Sequence, residues 1–144
     1  MDGLGVLGVV ALLTVVLAVA GVGLVRRRYD GRMRTSSAGQ GSSLADLGIS
    51  LPAERAAIVQ FTGEFCGSCE QARTMVERIV RDSPDVGHVE VDVAENIHAV
   101  RALDIRRTPT LIIVDRQGVP VHRASGMPRE AELRQAVSEL ADQR

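Results

Sequence analysis

The sequence predicts an α/β domain with a mixed sheet, preceded by a single N-terminal transmembrane helix. Three observations lead to this class. Residues 3–25 are uncharged and almost wholly apolar, and the later chain alternates strand-like with helix-like apolar patterns. About 100 residues remain from Leu44 onward, which is enough for one modest core. The 144 residues therefore hold one domain and an additional N-terminal segment.

The first segment, residues 3–25, is 23 residues long and carries no charge. About 20 apolar residues cross the roughly 30 Å hydrocarbon core of a bilayer, so the segment is long enough for a membrane-spanning helix. A cleaved signal peptide is the alternative, because residues 18–20 resemble a cleavage site. However, the N-terminus lacks the basic residues of a signal peptide. A buried core helix is disfavoured, since the remaining chain is too small to enclose it.

Five arginines follow the apolar segment within nine positions. They are Arg26, Arg27, Arg28, Arg32 and Arg34. Basic residues beside a membrane helix favour the cytoplasmic side. We therefore expect a single-pass protein of the cell membrane with its N-terminus outside and its domain in the cytoplasm; an extracytoplasmic domain is the alternative. Residues 26–43 are interpreted as an Arg-rich juxtamembrane segment with a Gly/Ser-rich linker, and residues 44–144 as the domain.

The soluble part of the chain is acidic. From residue 35 onward, 12 arginines face 16 aspartates and glutamates, which gives a net charge of −4. Binding to nucleic acid depends on clustered basic residues that face the phosphates, so we expect no nucleic-acid partner. The chain has no lysine, which is typical of a GC-rich genome and favours a bacterial source.

The domain is expected to contain four strands and three helices in the order β-α-β-α-β-β-α. Strand-length apolar runs occupy residues 56–61, 86–93, 110–114 and 119–124, and amphipathic spacing occupies 69–82, 96–103 and 128–140. The first strands are joined through helices and should pair in parallel with right-handed crossovers. The turn at residues 115–118 makes the last two strands an antiparallel hairpin.

Cys66 and Cys69 lie between the first strand and the first long helix of the domain. A cysteine at a helix N-terminus meets unpaired backbone N–H groups and the positive end of the helix dipole, which lower the pKa of its thiol. The second sulfur lies one turn away and can attack a mixed disulfide formed by the first. We therefore expect Cys66 to be the nucleophile and Cys69 the resolving thiol of a redox site.

Two other interpretations of the cysteine pair are weaker. A structural zinc site normally has four Cys or His ligands, but the chain has no second cysteine pair. Its three histidines, His88, His98 and His122, also show no close spacing. We expect neither a metal nor another cofactor. An inert pair of buried thiols is the remaining alternative.

Five short strings in the domain resemble the thioredoxin family in their order and spacing. They are residues 58–61, 65–69, 89–92 and 105–110, and Gly126. The resemblance covers roughly residues 56–140 and implies a thioredoxin fold with disulfide-exchange activity. It also implies a cis peptide bond between Thr108 and Pro109, beside the dithiol. An ordinary proline at the start of a strand is the alternative for Pro109.

The resemblance further implies a site for an extended segment of a protein substrate, which would pair with the exposed backbone of Thr108. The residues assigned to this site are Thr108, Pro109, Phe65 and Gly126. Phe65 and Ser68 depart from the family pattern, which has tryptophan and proline at these positions. We expect Ser68 to stabilise the Cys66 thiolate and to change the redox potential.

Gln60 is a third departure from the pattern, because thioredoxins have a buried aspartate there that helps to deprotonate the resolving cysteine. An amide cannot act as a base. His88 is assigned to the place of the lysine that accompanies this aspartate, so His88 or Glu64 is a candidate proton relay. A strand histidine with a satisfied ring is the favoured interpretation of His88. The family's first strand and helix are expected to be missing, since residues 44–55 are too few for both, and this predicts a minimal form of the fold.

Together these features predict a membrane-tethered thiol–disulfide oxidoreductase. On the cytoplasmic face it would be a reductase, because thiols are kept reduced there. Its partners would be a protein disulfide substrate and an electron-donating thiol protein, neither of which the sequence identifies. One alternative is an extracytoplasmic thiol reductase for secreted or cytochrome-maturation substrates. The other is a thioredoxin-like module that binds partners without turnover.

Overall fold

The computed structural model describes residues 3–29, 31–36 and 43–141, and the chain divides after residue 30 into two units. The first unit is the helix α1 (Gly3–Tyr29). All of its described side chains, from Leu7 to Val25, are exposed. Apolar residues exposed on every side of a helix suit a hydrocarbon environment. By length and composition this helix could be a membrane span or a signal sequence.

The described residues of the second unit form a five-stranded mixed sheet in the order β1-β5-β4-β2-β3, with helices on both faces. The strands are β1 (Arg34–Thr35), β2 (Ala56–Thr62), β3 (Val86–Asp92), β4 (Thr110–Val114) and β5 (Pro120–Ser125), and the helices are α2 (Gly67–Asp82), α3 (Ile97–Ala102) and α4 (Glu130–Ala141). Strands β2 and β3 are parallel, whereas β4 is antiparallel to β2 and β5 is antiparallel to β4. The predicted element order and the mixed sheet are confirmed. The parallel pairing expected for strands joined through helices is correct for β2 and β3 but wrong for β4, which follows α3 and nevertheless pairs antiparallel with β2.

Strand β2 is an interior strand, between β4 and β3, and is buried on both faces, which explains its continuous apolar sequence. Its side chains alternate between two core clusters. Ile58 packs with residues of α2 and α4, such as Ile79 and Leu133. Phe61 packs on the opposite face with residues of α3, such as Ala99. The sheet thus separates two apolar layers, and β2 leads directly to the cysteine pair.

A short 3₁₀ helix (Leu44–Leu47) covers part of the α3 face of the sheet. Ser43 begins it with a capping box in which its side chain accepts from Ala45 N–H while Asp46 accepts from Ser43 N–H. Leu44 is fully buried, and its backbone N–H donates to Gly118 C=O over 2.9 Å. Residues 44–55 hold this helix and no strand, so the chain covers the α3 face with one turn of helix and a loop.

Strand β1 is an element that the sequence analysis did not predict. It pairs antiparallel with β5 at the sheet edge, within residues 26–43 that were assigned to the juxtamembrane segment and linker. Gly31 N–H donates to Ser125 C=O over 2.8 Å, and Met33 packs on the core cluster of α2 and α4. The second compact unit begins at Gly31. A two-residue strand has no apolar periodicity from which it could be predicted. Residues 37–42 of the proposed linker lie outside the described part of the chain.

Candidate active site

Cys66 and Cys69 lie where β2 ends and α2 begins. Cys66 is the N-cap residue of α2, and its own N–H donates to Gly63 C=O over 3.2 Å. Cys69 lies on the buried face of the helix, and its N–H donates to Cys66 C=O over 3.0 Å. The two sulfurs are joined in a disulfide with their Cα atoms 5.3 Å apart. The structure is therefore that of the oxidised protein.

The two cysteines differ in their accessibility. Cys69 is only 3% exposed, whereas Cys66 is partly exposed at the helix end. An incoming thiolate or disulfide can therefore reach the Cys66 sulfur, while the Cys69 sulfur is covered. Ser68 Oγ lies 3.7 Å from Cys66 Sγ, at the outer limit of a weak hydrogen bond to sulfur. Phe65, just before the pair, is 94% exposed and places a large apolar side chain in solvent.

The loop before β4 forms the second wall of the site. Its Thr108–Pro109 peptide bond is cis, which is the isomer that the resemblance implies. Pro109 is buried and Thr108 is partly exposed. A Cβ atom placed on Gly63, three residues before Cys66, would lie 3.7 Å from Thr108 Oγ1, so this loop adjoins the strand end that leads to the dithiol.

Gly126 fixes the same loop from the other side. Its N–H donates to Pro109 C=O over 2.7 Å, and its φ of 92° is a backbone conformation that favours glycine. Met127, the next residue, is 37% exposed. The sequence analysis assigned Thr108, Pro109 and Gly126 to substrate binding. They lie on two loops that the hydrogen bond from Gly126 to Pro109 joins.

Arg123 also supports this loop, and the sequence analysis did not identify it. From β5, its guanidinium donates to Leu103 C=O over 2.6 Å and to Asp104 C=O over 2.8 Å. These carbonyls end α3 and start the segment that leads to Pro109. Partial burial lowers the pKa of Arg123. The contact joins residues about 20 positions apart, so no local pattern in the sequence indicates it.

Gln60 lies beneath the dithiol, on the face of β2 that α2 covers. The side chain is fully buried, and its Nε2 donates to Cys69 C=O over 2.9 Å. Its Oε1 is also buried but has no hydrogen-bond partner among the described residues. Gln60 therefore contacts the backbone of the buried cysteine and presents an unpaired acceptor beside it.

The parallel register gives the position of His88 relative to Gln60. Gln60 is paired with Glu90, and His88 with Ile58, so the β3 residue beside Gln60 is Glu90. Paired residues of parallel strands point to the same face, and a shift of two residues moves a side chain one full repeat along the strand. His88 thus lies one repeat farther from the dithiol end of the sheet than Glu90 does. Glu64, the other candidate relay, lies exposed before the dithiol.

A bidentate ion pair occupies the space beside Gln60. Arg73, one turn after Cys69 on α2, donates to both carboxylate oxygens of Glu90 over 2.7 Å and to Glu70 over 2.6 Å. The hydrogen bond from Arg73 holds the pKa of the Glu90 carboxyl below its usual value. Both side chains are partly exposed, so this pair contributes little to stability. The sequence analysis did not identify it because it crosses from a helix to a strand.

His88 has a different environment from the one favoured by the sequence analysis. Its Nε2 is buried and has no hydrogen-bond partner within the described part of the chain. Burial lowers the pKa of the imidazole, and nearby Glu90 and Glu77 oppose that effect only in part. The ring is therefore not satisfied at Nε2, and its neutral form is favoured. In residues 3–29, 31–36 and 43–141, no cluster of three or more His, Cys, Asp and Glu side chains is arranged to hold a metal ion.

Comparison with known proteins gives a consistent result. The family model described as Thioredoxin matches residues 49–139. A thioredoxin of Mycoplasma pneumoniae is 28% identical over 97 residues, which are 67% of this chain and 94% of that protein. A thioredoxin of Mycolicibacterium smegmatis is 31% identical over 99 residues, covering 67% and 81% of the two chains.

The similarity extends to solved structures. The X-ray structure of Fasciola hepatica thioredoxin superimposes with a TM-score of 0.53 and 29% identity, over 60% of this chain and 82% of that one. A mutant thioredoxin from Halobacterium salinarum has a TM-score of 0.56 at 24% identity, over 67% and 81% of the two chains, and supports the fold alone. With its Cys66–Cys69 disulfide at the end of β2, this chain belongs to the thioredoxin family and is a thiol–disulfide oxidoreductase.

Proposed function

We propose that this protein is a membrane-tethered reductase of protein disulfides whose domain lies on the cytoplasmic face, with Cys66 as the nucleophile and Cys69 as the resolving thiol. The observation that carries this assignment is the unequal exposure of the two sulfurs: Cys69 is 3% exposed and Cys66 is partly exposed at the N-terminus of α2. The helix terminus favours a thiolate at Cys66, which is the nucleophilic form of cysteine.

The reaction transfers two electrons from the dithiol to the substrate. The Cys66 thiolate attacks one sulfur of the substrate disulfide, forms a mixed disulfide and releases a substrate thiolate. Cys69 then loses its proton and attacks Cys66 Sγ, which forms the Cys66–Cys69 disulfide and releases the second substrate thiolate. Each released thiolate takes up a proton. A partner thiol protein returns the pair to the dithiol by the same exchange in reverse.

The surroundings of Cys66 suit an extended protein segment. Phe65 offers an exposed aromatic face, and Thr108 is partly exposed at the start of β4. Pro109 and Gly126 are assigned to the wall behind the segment, because the hydrogen bond between them holds the loop in place. A substrate strand could pair with the Thr108 backbone and bring its disulfide to Cys66.

The membrane assignment rests on α1 and on the arginines that follow it. Nineteen residues, Leu7–Val25, are apolar enough to span a bilayer, and five arginines lie within nine positions after them. Basic residues on that flank favour a cytoplasmic domain. In that compartment the glutathione and thioredoxin pools favour electron flow toward substrate disulfides.

A fusion of alkaline phosphatase to the C-terminus of the full chain in a bacterial host tests the orientation. We expect low phosphatase activity in intact membranes, since the enzyme is active only after export. High activity would overturn the cytoplasmic assignment and support an extracytoplasmic thiol reductase. A cytoplasmic reporter fused at the same residue is the matched control, and it should give the opposite signal.

The roles of the two cysteines can be tested by trapping. We expect the full-length Cys69→Ser variant, expressed in its native cell, to accumulate covalent adducts that DTT releases. The matched Cys66→Ser variant keeps only the buried sulfur and should trap far less. Equal trapping by the two variants would contradict the assignment of roles. A lack of adducts with Cys69→Ser would contradict the proposed reductase.

A further inference from the structure

The side chain of Gln60 has one hydrogen-bonding group in use and one unused. Nε2 donates to the carbonyl of Cys69, while the buried Oε1 has no partner among the described residues. Buried acceptors are nearly always paired in folded proteins, and leaving one unpaired is unfavourable. The amide contacts the residue that carries the buried sulfur, so a donor that arises there when the redox state changes could pair with Oε1.

The donors around Gln60 already have acceptors. Arg73 donates to the carboxylates of Glu70 and Glu90, so its described hydrogen bonds lead away from the amide. Thr110, which is also fully buried, is paired with Phe61, so its side chain lies on the opposite face of the sheet from Gln60 and donates its hydroxyl to Arg107 C=O over 2.8 Å. Neither side chain therefore donates to Oε1 in the oxidised protein. Cys69 itself has no hydrogen on sulfur while the disulfide is intact.

Reduction changes this situation. When the Cys66–Cys69 bond gains two electrons and one proton, the helix end favours the thiolate at Cys66, and the proton resides on the buried sulfur of Cys69. Burial away from water disfavours a thiolate at Cys69. One new S–H donor therefore appears on the residue that Gln60 already contacts.

We propose that Gln60 is a positioning residue whose Oε1 accepts a hydrogen bond from the reduced Cys69 thiol and so stabilises the dithiol relative to the disulfide. Nε2 anchors the amide to the Cys69 backbone in both redox states, which orients the opposite oxygen. The interaction keeps the proton on Cys69 until the mixed disulfide forms, and it leaves Cys66 as the reactive thiolate. The proposal rests on the redox activity of this cysteine pair.

The first measurement is the equilibrium of the purified full chain with reduced and oxidised glutathione. In Gln60→Leu the acceptor is lost, and the balance should shift toward the disulfide by about fivefold, as expected for one net hydrogen bond. If Gln60→Leu does not fold, which circular dichroism would show, Gln60→Met replaces it as a flexible side chain whose thioether is only a weak acceptor. An unchanged equilibrium constant would overturn the proposal.

The second measurement separates a hydrogen bond to sulfur from a merely structural effect. In the Cys66→Ser variant, Cys69 is the one remaining thiol of the chain, so the infrared S–H stretch reports on it alone. We expect this band at the lower wavenumber of a hydrogen-bonded thiol. It should move to higher wavenumber when Gln60→Leu is added and stay low with Gln60→Glu, which keeps an acceptor.

A band that does not respond to Gln60→Leu would overturn the proposal even if the glutathione equilibrium shifts, because the residue would then act through packing alone. Neither measurement involves a substrate, a membrane orientation or a partner protein. A failure of the proposed cytoplasmic reductase would therefore appear in the trapping and fusion experiments and leave these two readouts unaffected.

Discussion

Replacing Leu44 with alanine should destabilise the whole domain, although this residue lies on a short 3₁₀ helix before β2. Its side chain is fully buried in the core cluster that includes Val59 and Leu103. The substitution removes three carbon atoms from the core, worth about 2.4 kcal/mol at about 0.8 kcal/mol each. The cavity that remains adds to this value, so we expect a loss of about 3 kcal/mol in the free energy of unfolding.

Urea-induced unfolding of the detergent-solubilised full chain, followed by circular dichroism, measures this loss. Leu47→Ala is the matched control, because Leu47 lies on the same 3₁₀ helix but is only partly buried. It should cost about 1 kcal/mol, since less apolar surface is removed from the core. If Leu44→Ala is no more destabilising than Leu47→Ala, the segment before β2 does not form part of the core and the reasoning is refuted.

Two further substitutions test local features of the domain. Gly31→Ala should detach β1, because Gly31 has a φ of 75° and a Cβ there would overlap Met127 C=O. We expect faster hydrogen exchange at the Ser36 amide, which donates to Val121 C=O. Gly48→Ala is the control, since Gly48 has a φ of 82° but open space around its Cβ position, and it should not affect that amide. His88→Leu should flatten the dependence of stability on pH. Burial lowers the pKa of His88 in the folded state. As the pH falls through about 6.5, the unfolded chain therefore binds a proton at this histidine before the folded protein does. The wild-type protein should thus lose stability between about pH 7.5 and about pH 5.5 more steeply than the variant. The free energy of unfolding of both proteins is measured by urea titration at several pH values. If it changes with pH equally in the two proteins, the assigned environment of His88 is contradicted.

The local patterns of the sequence were sufficient to predict the main elements of the domain. The buried run of β2 and the amphipathic stripe of α2 each depend on residues a few positions apart, and the turn at residues 115–118 implies the hairpin that follows. The cysteine pair could be predicted for the same reason, since both residues lie within one turn of a helix start.

Features that depend on distant residues could not be predicted in this way. Strand β1 forms by pairing with β5, and its two residues are too few to show a periodic pattern of apolar side chains. The position of His88 illustrates the same limit. The resemblance assigns His88 to the place of the family's lysine, and only the register of β2 with β3 shows that Glu90 is the residue paired with Gln60. A shift of two residues leaves the pattern of alternation unchanged, so only the paired strands can reveal it.

The sequence by itself determined the thioredoxin fold, the redox cysteines and an N-terminal helix long enough to cross a membrane, because each depends on residue type and short-range spacing. Only the tertiary structure decided which sulfur is accessible and which side chains surround the other. Burial of Cys69 and the half-paired amide of Gln60 result from packing α2 against β2. Such contacts depend on how helices and strands pack against each other, and local sequence patterns do not indicate them.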